Sequence, residues 1–206
     1  MHEYALKHRT IGHILADKAA RIGSGRWLIY GQQRFTYAEA HELSNRYANS
    51  FRALGFGKGD HVAVMLPNCP EFFWTVWGLG KLGAVAVPLN TAARGEMLRY
   101  FIVQSDSCCV VVAAELAGRV AEALAAGHAL KVCARLGDCG EALDALGAPV
   151  VDLAGFAAGS PIQPQSQSGD HRLTSGRDVV PNVSNVQYAI RQRRGGRFKT
   201  TQTRRG

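Results

Sequence analysis

The chain has 206 residues, 47% of them apolar, a size and composition that suit one domain with a substantial core or the front part of something larger. Its net charge of +8 belongs to one stretch: of 24 Lys and Arg residues, seven stand in Ala189–Gly206, which holds no acid, and the other 17 meet 16 acidic residues. A body near neutrality excludes a nucleic-acid reading of residues 1–188 on charge, and the polar start MHEYALKHRTIG lacks the apolar run of a secretory signal, so the expected location is the cytoplasm.

Taken in chain order, Thr10–Ile22 reads as a helix with Ile11, Ile14, Leu15, Ala19 and Ile22 on one face, stopped by Gly23 and Gly25. Trp27–Tyr30 and Arg34–Thr36 are β-prone runs about Gly31 and Gln32, the pattern of a hairpin. Thr36 and Glu39 form a Thr-x-x-Glu capping box, which opens a helix carrying Ala40, Leu43, Tyr47, Phe51 and Leu54 and ending at Gly55. His61–Leu66 is a buried strand, Glu71–Trp77 an aromatic-rich helix, and Ala84–Leu89 a second strand. From Gly95, Met97, Leu98, Phe101 and Ile102 mark a helix face. The strand Cys108–Val112, the helix Glu115–Ala126 and the strand Leu130–Cys133 follow, and Val150–Leu153 is a candidate for one more strand. Near-continuous apolar strands alternating with amphipathic helices predict an α/β fold, a parallel sheet with helices on both faces. Phe72–Leu89 is broken by Lys81, three glycines and Pro88, so it reads as core and not as a membrane span. Ser160–Ser175 has the Pro, Gln, Ser and Gly content of a loop.

Gly78-Leu-Gly-Lys-Leu-Gly83 fits the string GxGxxG, but a helix precedes it and a strand follows, the reverse of a dinucleotide site, so it reads as a helix stop. The five cysteines (69, 108, 109, 133, 139) contain no C-x-x-C pair, and none of the seven histidines is placed to complete a zinc site with them. No Ser, Cys or carboxylate pairs with a histidine in a nucleophile pattern. Composition and periodicity alone give an α/β domain of unassigned task.

Residues 35–98 carry more. FTYAEA at Phe35–Ala40, G-x-x-x-GD-x-V-A at Gly55–Ala63, LPNCPEF at Leu66–Phe72 and GAVAVPLN at Gly83–Asn90 together resemble the amino-terminal part of AMP-forming acyl-CoA synthetases, with a flavour nearest crotonobetaine/carnitine and fatty-acyl CoA ligases. The resemblance covers about residues 9–135 and reappears at Asn185–Tyr188. It implies ATP, Mg²⁺ and CoA as ligands of the parent enzyme and a carboxylic acid as its substrate. It implies Arg94, after the Pro-Leu-Asn turn, as a contact to the CoA 3′-phosphate, and no catalytic residue in this chain. In the family, text like Val-Gln-Tyr188 leads into TSGTTG, a Ser/Thr/Gly loop that grips the ATP phosphates. Here AIRQRRGGRFK follows instead.

A shift of reading frame accounts for the departure. Gln192–Arg197 can be encoded by CAA CGA CGG GGC GGT CGA, which read from its third base gives Thr-Thr-Gly-Arg-Ser. The expected organisation is a shortened amino-terminal ligase domain at 1–158, a loop or linker at 159–188, and a disordered, frameshifted tail at 189–206. Such a fragment is expected to lack ligase activity and to leave a sheet edge and side chains such as Phe72, Phe73 and Trp77 partly uncovered. Two other readings stand beside it: a non-catalytic small-molecule-binding α/β module, and a nucleic-acid-associated protein acting through Arg191–Arg205.

Overall fold

A computed structural model describes Ala5 and residues 10–164. Tyr188 and the basic stretch 189–206 lie outside the described residues, as does most of the expected linker. Helix α1 (Ile11–Ile22) is followed by the hairpin β1 (Arg26–Tyr30) and β2 (Gln33–Thr36), then by α2 (Tyr37–Ala53), β3 (His61–Met65), α3 (Pro70–Leu82) and β4 (Val85–Pro88). Helix α4 (Gly95–Gln104), β5 (Ser107–Ala113), α5 (Ala117–Leu124), β6 (Val132–Leu136) and β7 (Val150–Asp152) complete it, with short 3-10 turns at Ala114–Leu116, Asp144–Leu146 and Leu153–Ala158.

Local chemistry sets these boundaries. The Thr36 side chain accepts from the Glu39 amide at 3.2 Å and the Glu39 carboxylate accepts from the Thr36 amide at 2.8 Å, so the capping box forms as the sequence predicts. Thr10 caps α1 in the same manner, its hydroxyl taking the His13 amide. Helix α3 starts on Pro70, whose missing N–H is no loss in a first turn, and stops at Gly83, which adopts the left-handed φ of +73° that a side chain would disfavour. The string GxGxxG is thus a helix end. Gly78 has a different reason: a Cβ there would stand 2.9 Å from the Ala48 amide nitrogen, so only glycine lets α2 and α3 approach this closely.

Strands β4-β3-β5-β6-β7 form a five-stranded sheet, parallel at every pairing, while β1 and β2 make a separate antiparallel pair. Val62–Met65 and Cys109–Ala113 are fully or almost fully buried, which explains why β3 and β5 read as unbroken apolar runs. Helices α1, α2 and α3 pack on one another, and so do α4 and α5. Strand β6 lies further along the chain than predicted. Leu130 is buried just before it, and the strand continues through Ala134, Arg135 and Leu136, where apolarity falls off.

The α4 face is also corrected. Leu98 and Ile102 are buried, but Met97 and Phe101, predicted to share their face, are exposed together with Tyr100 and Val103. Phe72, Phe73 and Trp77 are half-buried, because the hairpin lays Trp27 on α3, its ring 4.5 Å from Trp77 and 5.1 Å from Phe73. Among the described residues no helix is long and apolar enough to cross a membrane.

Candidate functional site

The sheet order places the site. From β3 the chain moves outward to β4, then crosses back to β5 on the other side of β3, so the connections diverge at the carboxyl ends of β3 and β5. In doubly wound sheets that divergence opens a crevice, and ligands bind there. Because all pairings are parallel, Leu66–Cys69 after β3, Leu89–Arg94 after β4, Ala114–Leu116 after β5 and Gly137 after β6 all leave the same edge.

Arg94 stands on this edge. It is the exposed residue at the start of α4, with extended backbone (φ −148°, ψ 161°) and no capping bond from its side chain. The turn before it is held from two directions. Asn90 accepts the Ala92 amide on its side-chain oxygen at 2.9 Å, and Arg119 of α5 donates to the Thr91 carbonyl at 3.0 Å. Arg119 thus brings a second guanidinium to the turn that carries Arg94. Sequence reasoning gave it no role, since an arginine in α5 comes to the β4–α4 turn only through the stacking of α4 on α5. Beside the turn, a groove of about 450 Å³ lined by Pro88, Asn90, Tyr100, Phe101 and Gln104 follows the open β4 edge.

No described thiol suits nucleophilic work. Cys69 sits at the start of α3, where a thiolate is often favoured, yet burial above all pushes its thiol up to about 11. Burial likewise raises Cys133 to about 12, with Cys139 adding to it, and pushes the fully buried Cys109 well above the ordinary range. Among the described residues no three His, Cys, Asp or Glu side chains converge to hold a metal ion.

The model of the AMP-binding enzyme family matches residues 15–173, well over half of the chain. The chain belongs to that family. A medium/long-chain-fatty-acid CoA ligase of Mycobacterium tuberculosis is 37% identical over 113 residues, which is 55% of this chain and 19% of the relative. A crotonobetaine/carnitine CoA ligase of Salmonella paratyphi A is 42% identical over 105 residues, 51% of this chain and 20% of the relative. The solved structure of a Mycobacterium tuberculosis fatty acyl CoA synthetase superposes with a TM-score of 0.64 at 28% identity, covering 80% of this chain and 31% of that one. The chain spans about a fifth of the length of the curated relatives it matches. The match of the family model to residues 15–173 covers the whole parallel sheet and both edge arginines.

Proposed function

We propose that this chain is an amino-terminal segment of an AMP-forming acyl-CoA synthetase. In the complete enzyme the carboxylate of an acid attacks the α-phosphorus of ATP, giving acyl-AMP and releasing pyrophosphate. The CoA thiol then attacks the acyl carbonyl, forming the thioester and releasing AMP. Both steps build charge on phosphoryl or acyl oxygens, which fixed donors and cations stabilise. The observation that carries this reading is the family match across residues 15–173, laid on a parallel sheet whose connections diverge at the carboxyl ends of β3 and β5.

On this reading residues 1–158 are the front of the ligase domain, 159–188 lead toward the ATP loop, 189–206 arise from a shifted frame, and the enzyme works in the cytoplasm. Arg94 takes the 3′-phosphate of CoA, a fork of N–H donors being suited to bidentate phosphate binding. No catalytic role falls to a residue of this chain. Mg²⁺ belongs to this reading as the partner of the ATP phosphates in the complete enzyme; among the described residues no three His, Cys, Asp or Glu side chains converge.

The test is an assay of the purified 206-residue chain with ATP, Mg²⁺, CoA and a panel of fatty acids and crotonobetaine, followed by calorimetric titration with adenosine 3′,5′-bisphosphate, the phosphorylated end of CoA. We expect no thioester. If the wild-type chain binds the bisphosphate, Arg94→Ala weakens that binding several-fold. Steady thioester synthesis by the chain alone would overturn the assignment of an incomplete enzyme, and binding unchanged by Arg94→Ala would remove Arg94 from the CoA site.

A further inference from the structure

Helix α4 carries two apolar faces, and the chain's own packing uses one of them. Leu98 and Ile102 are buried in the core, whereas Tyr100, Met97 and Val103 are exposed at 60%, 55% and 47% and do not pack against it. At about 100° per residue, Tyr100 lies opposite the mean direction of Leu98 and Ile102, and Met97 and Val103 flank it by about 60° on either side. The outer face is therefore centred on Tyr100. A contiguous apolar stripe of this kind marks an interaction surface, and Tyr and Met are residue types enriched in such surfaces.

The sheet edge near α4 is ill suited to receive a partner strand. Val85 and Leu89 give their amides to the carbonyls of Asp60 and Val64 on the β3 side, at 2.8 and 2.9 Å. Alternate residues of a parallel strand face its other side, so Ala86 and Pro88 look outward, and Pro88 has no N–H to give. Association through this side of the molecule thus falls to the side chains of α4.

The charges around α4 say which partner fits. Arg94 stands exposed at its amino end and Asp106 exposed just past its carboxyl end, with Glu96 and Gln104 exposed between them. Among the described residues, none of Arg94, Glu96 and Asp106 is in an ion pair. A helix with a free cation at one end and a free anion at the other is complementary to itself when turned end for end. A parallel copy would set like charge on like. With a two-fold axis beside Tyr100, residues equally far from Tyr100 come level with one another: Met97 with Val103, Glu96 with Gln104, and Arg94 with Asp106. Each pairing then occurs twice, as an isologous interface requires, and the helix dipoles oppose.

We propose that the outer face of α4 is the surface through which this 206-residue chain pairs with a second copy of itself, the two helices antiparallel about Tyr100. The pairing rests on the described residues and does not depend on the ligase reading.

Sedimentation equilibrium of the full chain at micromolar concentration and about 0.15 M salt tests it. The wild type is expected at twice its mass of 22.2 kDa. Tyr100→Glu sets two carboxylates at the axis without touching the core, and is expected to raise the dissociation constant at least about tenfold. A second measurement reads the register. Glu96 of one copy is level with Gln104 of the other, whereas the two copies of Glu96, like those of Gln104, stand about 12 Å apart along the axis, beyond the ~7 Å reach of a disulfide. An equimolar mixture of Glu96→Cys and Gln104→Cys chains, mildly oxidised, is expected to give roughly fivefold more disulfide-linked dimer than either variant alone. The wild type supplies the background from the five native thiols. A monomeric wild type would overturn the proposal, leaving the face open or covered by residues 165–206 of the same chain. A dimer that Tyr100→Glu does not weaken would refute it by placing the contact elsewhere. Cross-linking in the mixture no greater than in the single variants would rule out the antiparallel register.

Discussion

Two residues, one on α2 and one on α3, show how tightly single positions bind this fold to its chemistry. Gly78 is the contact point of the two helices, and an added methyl would meet the Ala48 amide at 2.9 Å and Tyr47 Cβ at 3.0 Å, both inside normal contact. Backbone cannot swing aside as a side chain can. Gly78→Ala is therefore expected to lower the stability by about 1–3 kcal/mol despite the better helix propensity of alanine, measured as a shift of the urea midpoint. His41 gives a pH signature. Its folded pKa is lowered to about 4, first by burial and then by the Lys81 charge, whereas the unfolded imidazole titrates near 6.5. Between those values the unfolded chain binds the extra proton, so stability is intact above about 6.5 and is lost as the pH falls toward about 4. The melting temperature is expected to fall between pH 7 and pH 5, above the carboxylate range, and His41→Gln to flatten that fall. A wild-type melting temperature constant across this range would contradict it.

At the scale of elements, aromatic rings seat the β1–β2 hairpin on α3, Trp27 foremost. Trp27 meets Phe73, Trp74 and Trp77 of α3, with centroids 5.1, 5.6 and 4.5 Å away, and Phe35 from β2 adds a contact to Trp74 at 5.3 Å. Trp27→Ala is expected to cost about 2–4 kcal/mol in urea denaturation, near the lower end of large-to-small core changes because Trp27 is half-buried. A loss below ~0.5 kcal/mol, the scale of an ordinary surface change, would show the hairpin to be held by other contacts. Elements whose signal is local were legible in the sequence. The Thr36–Glu39 capping box, the Gly83 stop and the unbroken apolar runs of β3 and β5 depend on neighbours in the chain and formed as read. What depends on distant partners was not legible. In the sequence Lys81 stands only as a charge that breaks the stretch Phe72–Leu89, and it is buried because α1 and α2 close over α3. The same holds for α4, where periodicity cannot say that Leu98 and Ile102 turn inward and Met97 and Phe101 outward. Arg119 joins the carboxyl edge by tertiary contact alone.

At the scale of the whole molecule, the sheet's connections diverge at the carboxyl ends of β3 and β5, and the sheet has an edge at β4, where Val85 is 43% exposed. Next to that edge stand the outward Tyr100 and Phe101 of α4 and the groove of about 450 Å³. Such a surface fits a chain that covers about a fifth of the ligases it resembles, with the rest of a larger domain to cover it. On the proposed reading, the coding frame is lost just past Tyr188, before the ATP loop. Reading the coding DNA from codon 180 through several hundred downstream bases in all three frames tests this most directly. We expect one frame to restore a Thr-Ser-Gly-Thr-Thr-Gly run beyond codon 188 and to continue into the rest of an acyl-CoA ligase. DNA with no such run in any frame would contradict the claim and make residues 189–206 a genuine part of this protein.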